Sequence, residues 1–365
     1  MKHAVLYLLL LILAEVIWLP EAHARSPLRV LCVESGSLDY NLRLLHGFAK
    51  ELRRHNFLTA APPPLHTITS SQTFWHWLAQ HADQRTLQFV NDGFYSFDWD
   101  ESKRRWLRES IRLRLDKKRD ADVLLAIGTP AGLDMAWLNQ YMPVIVMGVT
   151  NVVEAGIVPS IEDSGQNNLV AIGEPLRYRH QLEYFQKILP FRRLGLAYEN
   201  SDLGKSMIAL SEIESAARDL GFELVPCTAD LFDDPLSVAE QLTACHRFFV
   251  QQHVDAVYLT YTTAISEQQK RRALELLINA EIPTFSQALV EDVQYGALLS
   301  FVDSGEAEGQ FAGNLLRMVH AGYLPRTLPQ HFQSPRLLAI NLRTAAMMGW
   351  DPSLEVLLSV DVFFK

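Results

Sequence analysis

Short apolar runs alternate with amphipathic segments along most of this chain. Leu28–Glu34, Asp122–Ile127 and Val144–Val149 are nearly continuous apolar runs, which is typical of parallel strands that helices cover on both faces. Between such runs, apolar residues recur every three or four positions, as in Tyr40–Arg54. This spacing places them on one side of a helix. The pattern therefore predicts strands and helices in regular alternation.

The alternation forms two successive blocks. In the first block we predict further strands at Leu65–Thr69 and Leu87–Val90. The second block begins with a strand at Leu194–Tyr198 and a single helix over Gly204–Leu220. Repeated strand–helix units of this size predict parallel sheets with helices on both sides. We therefore expect an α/β fold of two doubly wound parallel-sheet lobes, joined near residues 150–168.

The first 24 residues have the parts of a secretory signal peptide. Lys2 precedes an unbroken apolar run from Ala4 to Ala14, and Ala22-His23-Ala24 offers small residues at a cleavage site. An N-terminal membrane anchor is the competing interpretation, although the run is short for one. The sequence therefore predicts a cleaved signal over residues 1–24 and export to the periplasm.

The net charge argues against one class of ligand, and the cysteines allow one disulfide. The chain of 365 residues carries 33 Lys and Arg against 42 Asp and Glu, a net charge of −9, so we expect no binding to nucleic acid. Of three cysteines, Cys32 lies in an apolar run and is expected to be packed. Cys227 and Cys245 would form a disulfide in an oxidising compartment or remain two separate thiols.

Catalytic signatures are largely missing. The sequence has no G-x-G-x-x-G after a strand, no G-x-S-x-G and no H-E-x-x-H. The segment 199–206 resembles a phosphate-binding loop, but Glu199 replaces its first glycine and would repel phosphate. We therefore predict no enzyme, no metal and no cofactor. The basic run over 103–119 is interpreted as a solvated helix face, with a docking surface as the alternative.

Polar side chains follow the predicted strands of both lobes. In parallel sheets, ligands bind outside the carboxyl ends of the strands, where helix N-termini offer free N–H groups to a carboxylate. Two such edges facing each other would enclose a small polar ligand. The candidates are Ser35, Thr129, Thr150 and Asn151 in the first lobe, and Asn200, Ser201, Thr260, Tyr261, Thr262, Ser286 and Gln287 in the second.

Several segments resemble, in order, those of a known family. Asp122–Ala131 is similar to its signature strand and turn, and Pro143–Thr150 to its next strand. Further matches follow at Gly195–Tyr198, Val254–Tyr258 and Ile282–Phe285. The family is the substrate-binding proteins of ABC transporters of the tryptophan/tyrosine type, with the type I periplasmic binding fold. The resemblance is good over residues 120–360 and loose over residues 28–60.

The resemblance implies two lobes that close on a ligand around a three-strand hinge. We expect one lobe from residues 25–150 and 301–334, and the other from 151–300 and 335–365. Thr129 and Pro130 match the turn that faces the ligand. The ligand would be an aromatic amino acid or a similar carboxylate, stacked on Tyr261, Tyr198 or Phe285 unless these rings belong to the core.

The partner that the resemblance implies is a membrane permease. The protein would deliver its ligand as a monomer to this ABC importer. The alternative is a sensory binding protein that reports its ligand to a membrane-bound kinase.

Overall fold

The computed structural model describes residues 26–138, 141–231, 234–262, 265–287, 290–302 and 305–365. The predicted signal over residues 1–24 lies outside them. Two separate sheets organise the described chain. The first is entirely parallel, in the order β2-β1-β3-β4-β5. Its strands are β1 (Leu28–Glu34), β2 (Leu87–Ser96), β3 (Val123–Ile127), β4 (Val144–Met147) and β5 (Leu169–Ala171).

Helices cover both faces of this first sheet, which explains why β3 and β4 are apolar at every position. The helices are α1 (Asp39–Arg54), α2 (Ser71–His81), α3 (Glu101–Lys117), α4 (Thr129–Leu138) and α11 (Glu306–His320). Close packing of α11 on α1 depends on Gly309, because a Cβ there would collide with the carbonyl oxygen of Leu44. This contact brings a late segment of the chain into the first lobe.

The second sheet has the order β12-β11-β10-β9-β8-β6-β7 and is parallel except between β10 and β11. Its strands are β6 (Arg193–Tyr198), β7 (Glu223–Thr228), β8 (Ala256–Leu259), β9 (Thr284–Ser286), β10 (Leu299–Val302), β11 (Leu337–Asn341) and β12 (Val360–Phe364). The helices of this lobe are α5 (Arg177–Ile188), α6 (Asp202–Met207), α7 (Leu210–Leu220), α8 (Pro235–Gln251), α9 (Glu267–Asn279), α10 (Val290–Tyr295), α12 (Leu342–Met347) and α13 (Leu354–Ser359).

Among the described elements, the chain changes lobe three times: between β5 and α5, between β10 and α11, and before β11. The first and third passages are hydrogen-bonded to each other, because Gly173 donates to the Gln330 carbonyl and Phe332 donates to the Gly173 carbonyl. β5 pairs with β4, so the chain leaves the first sheet after residue 171 instead of at the expected boundary after residue 150.

Two predicted elements differ from the structure. Leu65–Thr67 is a single 3-10 turn and not a strand. Three prolines precede it, and they lack the N–H groups that a strand needs. The helix predicted over Gly204–Leu220 is broken, because Ala209 has φ +55° and separates α6 from α7. The predicted fold class, two α/β lobes with doubly wound sheets, is confirmed.

Candidate functional site

A cavity lies between the two lobes, at the carboxyl ends of β1, β3, β4 and β8. Its empty space is about 600 Å³, including the part that is open to solvent. The first lobe lines it with Leu38, Tyr40, Asn41, Trp99, Gly128, Thr129, Gly148, Val149 and Thr150. The second lobe lines it with Arg177, Tyr178, Met207, Tyr261 and Thr262. This cavity is called the cleft below.

The cleft wall in the first lobe is fixed by a buried carboxylate on α11. Glu308 accepts the backbone N–H of Gly148 at 2.6 Å on one oxygen and the hydroxyl of Tyr40 at 2.8 Å on the other. These bonds hold the loop after β4 and the first turn of α1 against the same side chain. Thr129 lines the cleft at the first position of α4 and is 4% exposed.

Trp99 enters the cleft from the turn between β2 and α3. Asp98 and Trp99 both have positive φ, 52° and 61°, which is rare for a large aromatic residue. The turn is tied to β1, because Phe97 donates to the Glu34 carbonyl and Trp99 donates to the Ser35 carbonyl. A side chain at Gly36 would collide with the indole ring. Trp99 is therefore held in position before any ligand arrives.

The cleft wall in the second lobe centres on the start of α5. Arg177 is the first residue of this helix, and its guanidinium lies 5.7 Å from the centre of the Tyr178 ring. Glu212 accepts the backbone N–H of Arg179 at 2.9 Å and so caps the helix. Burial raises the pKa of Glu212, and hydrogen bonds from the backbone of Arg179 and Tyr178 oppose this rise. Glu174 lies 3.9 Å from Arg177 on the hinge side.

Four predicted site residues line the cleft together: Thr129, Thr150, Tyr261 and Thr262. Ser35 and Pro130 line a neighbouring cavity on the far side of Trp99. The Ser35 hydroxyl donates to the Ile127 carbonyl at 3.0 Å and accepts the Ala131 N–H at 3.0 Å. Ser35 thus joins β1 to β3 and α4.

The other predicted residues, except Asn200, use their own polar groups in hydrogen bonds within the protein. Asn151 caps a turn by accepting from Val153 and Glu154, and Ser201 caps α6. In the second lobe, Thr260 donates to Ala197, Ser286 to Asp292 and Gln287 to Ile208. Asn200 is exposed at the end of β6. Of the alternative stacking residues, Phe285 is fully buried in the core of the second lobe.

Sequence reasoning missed ten of the fourteen described lining residues: Leu38, Tyr40, Asn41, Trp99, Gly128, Gly148, Val149, Arg177, Tyr178 and Met207. A search confined to residues directly after strands cannot find Arg177, because it follows the interlobe passage after β5. Trp99 had a usable signal. It lies three residues after the true end of β2 at Ser96, whereas the predicted strand ended at Val90.

Two polar contacts cross between the lobes at the rim of the cleft. Arg43 on α1 forms an ion pair with Glu291 on α10 at 2.8 Å. Glu154 of the first lobe accepts the backbone N–H of Ser211 at 3.0 Å and its hydroxyl at 2.6 Å, at the first turn of α7. Both contacts hold the two lobes against each other in this structure.

A second cavity lies inside the second lobe and shares Thr262 with the cleft. Besides apolar side chains, it is lined by Tyr258, Thr260, Thr262, Lys270, Asp292 and His246. Lys270 and Asp292 form a buried ion pair at 2.6 Å. His246 is 1% exposed, and its Nδ1 contacts the Ala273 carbonyl at 2.8 Å. This cavity is called the interior cavity below.

The remaining expectations concern cysteines, metals and membranes. Cys227 and Cys245 form a disulfide that joins β7 to α8, and Cys32 is a buried free thiol. Among the described residues, no group of three or more His, Cys, Asp and Glu side chains is placed to hold a metal ion. No helix in the described ranges combines the length and the apolar composition of a membrane span.

Comparison with known families and curated proteins gives two matches. A family model described as ABC transporter substrate binding protein matches residues 109–359. A Tyrosine-binding protein of Clostridioides difficile (strain R20291) is 30% identical over 111 residues, which are 30% of this chain and 31% of that protein. The match to this relative thus spans about a third of its length.

Solved structures are similar over nearly the whole chain. One from Streptococcus pneumonia, described as an ABC domain in complex with L-Trp, has a TM-score of 0.70 at 17% identity and covers 93% of this chain and 100% of that one. A ligand-free, open substrate binding protein with adhesive properties from Clostridium difficile has a TM-score of 0.64 at 16% identity, with coverages of 92% and 99%. These likenesses confirm the two-lobed fold.

Proposed function

The chain belongs to the ABC transporter substrate binding protein family, and from this premise we propose that it captures an aromatic amino acid or a similar carboxylate in the cleft for an ABC importer. The observation that carries the proposal is the composition of the cleft. Tyr40, Trp99, Tyr178 and Tyr261 offer aromatic surface, and Arg177 offers a guanidinium. Rings and a cation in one concave site suit a ligand with an apolar body and an anionic group.

In this proposal the protein is exported and delivers its ligand to a membrane permease. The protein is made with a cleavable signal over residues 1–24, acts in the periplasm as a monomer, and presents its closed form to a membrane permease. Binding shifts an equilibrium between open and closed lobes. The ligand leaves chemically unchanged, so the protein is a carrier and not an enzyme.

A thermal-shift screen of the purified protein tests ligand capture. The panel contains aromatic amino acids, aromatic and aliphatic carboxylates, and neutral sugars as the control class. A ligand at about 100 times its Kd stabilises the folded state by about 2.7 kcal/mol. We expect members of the aromatic carboxylate classes to raise the Tm and sugars to leave it unchanged. A panel with no shift, or with shifts from sugars alone, would refute the proposal.

The partner is tested in the native host with the ligand from the screen. Deletion of the gene should abolish high-affinity uptake of the radiolabelled ligand, and re-expression should restore it. Unchanged uptake together with the loss of a transcriptional response to the ligand would replace the importer by the sensory alternative.

A further inference from the structure

Another cavity between the lobes adjoins the cleft at Trp99. Its empty space is about 380 Å³, including the part that is open to solvent. Trp99 of the first lobe and Met207 of the second lobe line both this cavity and the cleft. These two side chains therefore form a boundary between two adjacent spaces. The space beyond the boundary is called the side cavity below.

The side cavity offers apolar surface next to this boundary. Phe97 and Pro130 line it from the first lobe, and Leu203 lines it from the second. Together with Trp99 and Met207, these side chains form a surface that suits the apolar part of a ligand. The side cavity could therefore extend the cleft if the boundary were opened.

Charged side chains of the side cavity are bonded within the protein. Arg104 forms two bonds of 2.8 Å with the carboxylate of Asp134 and an ion pair at 3.2 Å with Glu101. Asp100 caps α3 by accepting backbone N–H groups of its first turn, and Glu199 accepts a serine hydroxyl at 2.6 Å. An apolar group could enter the side cavity while these bonds remain in place.

The indole of Trp99 is the rigid part of the boundary. Asp98 and Trp99 both have positive φ, and a conformation of this kind persists only where the surrounding structure enforces it. Gly36 leaves room for the ring, because a Cβ there would lie 2.3 Å from the indole Nε1. Met207 has an unbranched side chain that adapts more easily to its neighbours. Trp99 is therefore the residue that fixes the extent of the cleft on this side.

We infer that Trp99 limits the length of the ligand, so that the site accepts one compact ring system, single or fused, and rejects a second ring attached end to end. A longer ligand would have to displace an indole that the backbone holds in place. A smaller residue at position 99 would join the side cavity to the cleft and admit the longer ligand. This inference rests on the proposed function and deepens it, because it names the size class of the ligand.

Titration calorimetry with two length series tests the inference. One series is L-phenylalanine, L-tryptophan and 4-phenyl-L-phenylalanine, and the other is phenylpropionate, indolepropionate and biphenylpropionate. In the series that binds, the longest member should bind the original protein at least about tenfold more weakly than the best shorter member, a difference of about 1.4 kcal/mol. A smaller difference overturns the inference but leaves the proposed function intact. If no member of either series binds the original protein, both fail.

Trp99→Ala should shift the affinity ratio by about tenfold toward the longest member. The matched control is Trp106→Ala, which removes an indole that is 66% exposed on α3 and is not among the described lining residues of either cavity. The control should leave the ratio within about threefold of the original. If Trp99→Ala is folded and weakens every member of the series equally, Trp99 is only a stacking surface and the inference is wrong.

Met207→Ala opens the same boundary from the second lobe and leaves the turn at Trp99 unchanged. We expect it to shift the ratio in the same direction by about fivefold, less than Trp99→Ala because the side chain removed is smaller. This variant decides the question if thermal unfolding shows that Trp99→Ala does not fold. An unchanged ratio in folded Met207→Ala would then overturn the inference.

Discussion

The cleft and the interior cavity adjoin each other at Thr262, yet their charged side chains are arranged differently. In the interior cavity, Lys270 and Asp292 face each other at 2.6 Å, and Ser286 donates to the second oxygen of Asp292 at 2.6 Å. The charges are compensated inside the protein. In the cleft, Arg177 lies at the surface that a ligand would contact, and its partner Glu174, 3.9 Å away, is not among the described residues that line that surface.

The difference separates a stabilising role from a binding role. A buried ion pair with its hydrogen bonds satisfied holds α9 and α10 together and needs no outside partner. Arg177 pairs with Glu174 at 3.9 Å and also lines the cleft, where a ligand would contact it. Changes in the interior cavity should therefore alter folding stability, and changes in the cleft should alter affinity.

The largest effect is expected at the interior ion pair. Asp292→Asn leaves the buried Lys270 without its counter-charge. Burial opposes the charge of Lys270, and Asp292 outweighs it and raises the pKa of the amine. Losing one partner of such a pair costs about 3–5 kcal/mol of unfolding free energy. Urea denaturation at neutral pH measures the loss.

The control is the double variant Lys270→Met with Asp292→Asn, which removes the charge and keeps an acceptor for Ser286. It should recover at least half of the lost stability. A single variant that loses less than about 1 kcal/mol would show that the interior pair is not a structural element.

His246 should make the folding stability of the protein sensitive to acid. Burial lowers its pKa to about 4, against a smaller opposing effect of the Ala273 carbonyl. In the unfolded chain the same histidine binds its proton near pH 6.5. The free energy of unfolding is therefore at its full value above pH 6.5 and falls as the pH drops toward 4. The total loss is about 3 kcal/mol. Urea denaturation at a series of pH values from 7.5 to 4.5 measures this loss of stability.

The matched variant is His246→Asn, which can donate to the Ala273 carbonyl but does not titrate. Its stability should depend less on pH than that of the original protein. The same pH dependence in both proteins would exclude His246 as the source and point to carboxylates elsewhere.

The sequence predicts best those elements whose hydrophobic pattern is set by their own burial. Strands such as β3 are continuous apolar runs because both of their faces are buried, and this pattern is local. β2 is an edge strand with polar Asn91 and Asp92, and a register shift separates its two halves opposite β1, so its pattern ends early and hides Trp99. The disulfide left open by the sequence is settled by the distance between the two chain segments.

Strand-end reasoning located four cleft residues because the carboxyl ends of parallel strands meet at one edge. It gave no account of Arg177 or of the pair Lys270 and Asp292. Partners 22 positions apart on different helices leave no periodic signal, and whether a polar side chain faces a cavity or caps a turn depends on tertiary packing. Asn151 and Ser201 illustrate this limit.

In the cleft, Arg177→Met should weaken binding of the ligand found in the screen by about thirtyfold, about 2 kcal/mol, because the ligand carboxylate loses a charge-assisted partner. The matched control is Arg326→Met, which removes an exposed arginine that is paired with Asp163 on the first lobe. Calorimetry should show unchanged affinity for the control. Equal losses in both variants, or none in Arg177→Met, would remove Arg177 from the site.

The smallest effect is expected at the rim, where the Arg43–Glu291 ion pair crosses between the lobes. The pair joins the two lobes, so its removal should favour an open arrangement of the lobes. The affinity for every ligand should then fall by the same factor. Arg43→Gln should lower affinity by about two- to fivefold, in keeping with about 0.5–1 kcal/mol for a partly exposed pair. The effect should shrink in high salt, because screening already weakens the pair in the original protein. Calorimetry at low and high ionic strength measures both quantities. A change in preference between two ligands found in the screen, instead of a uniform loss, would mean that Arg43 acts on the ligand and not on closure.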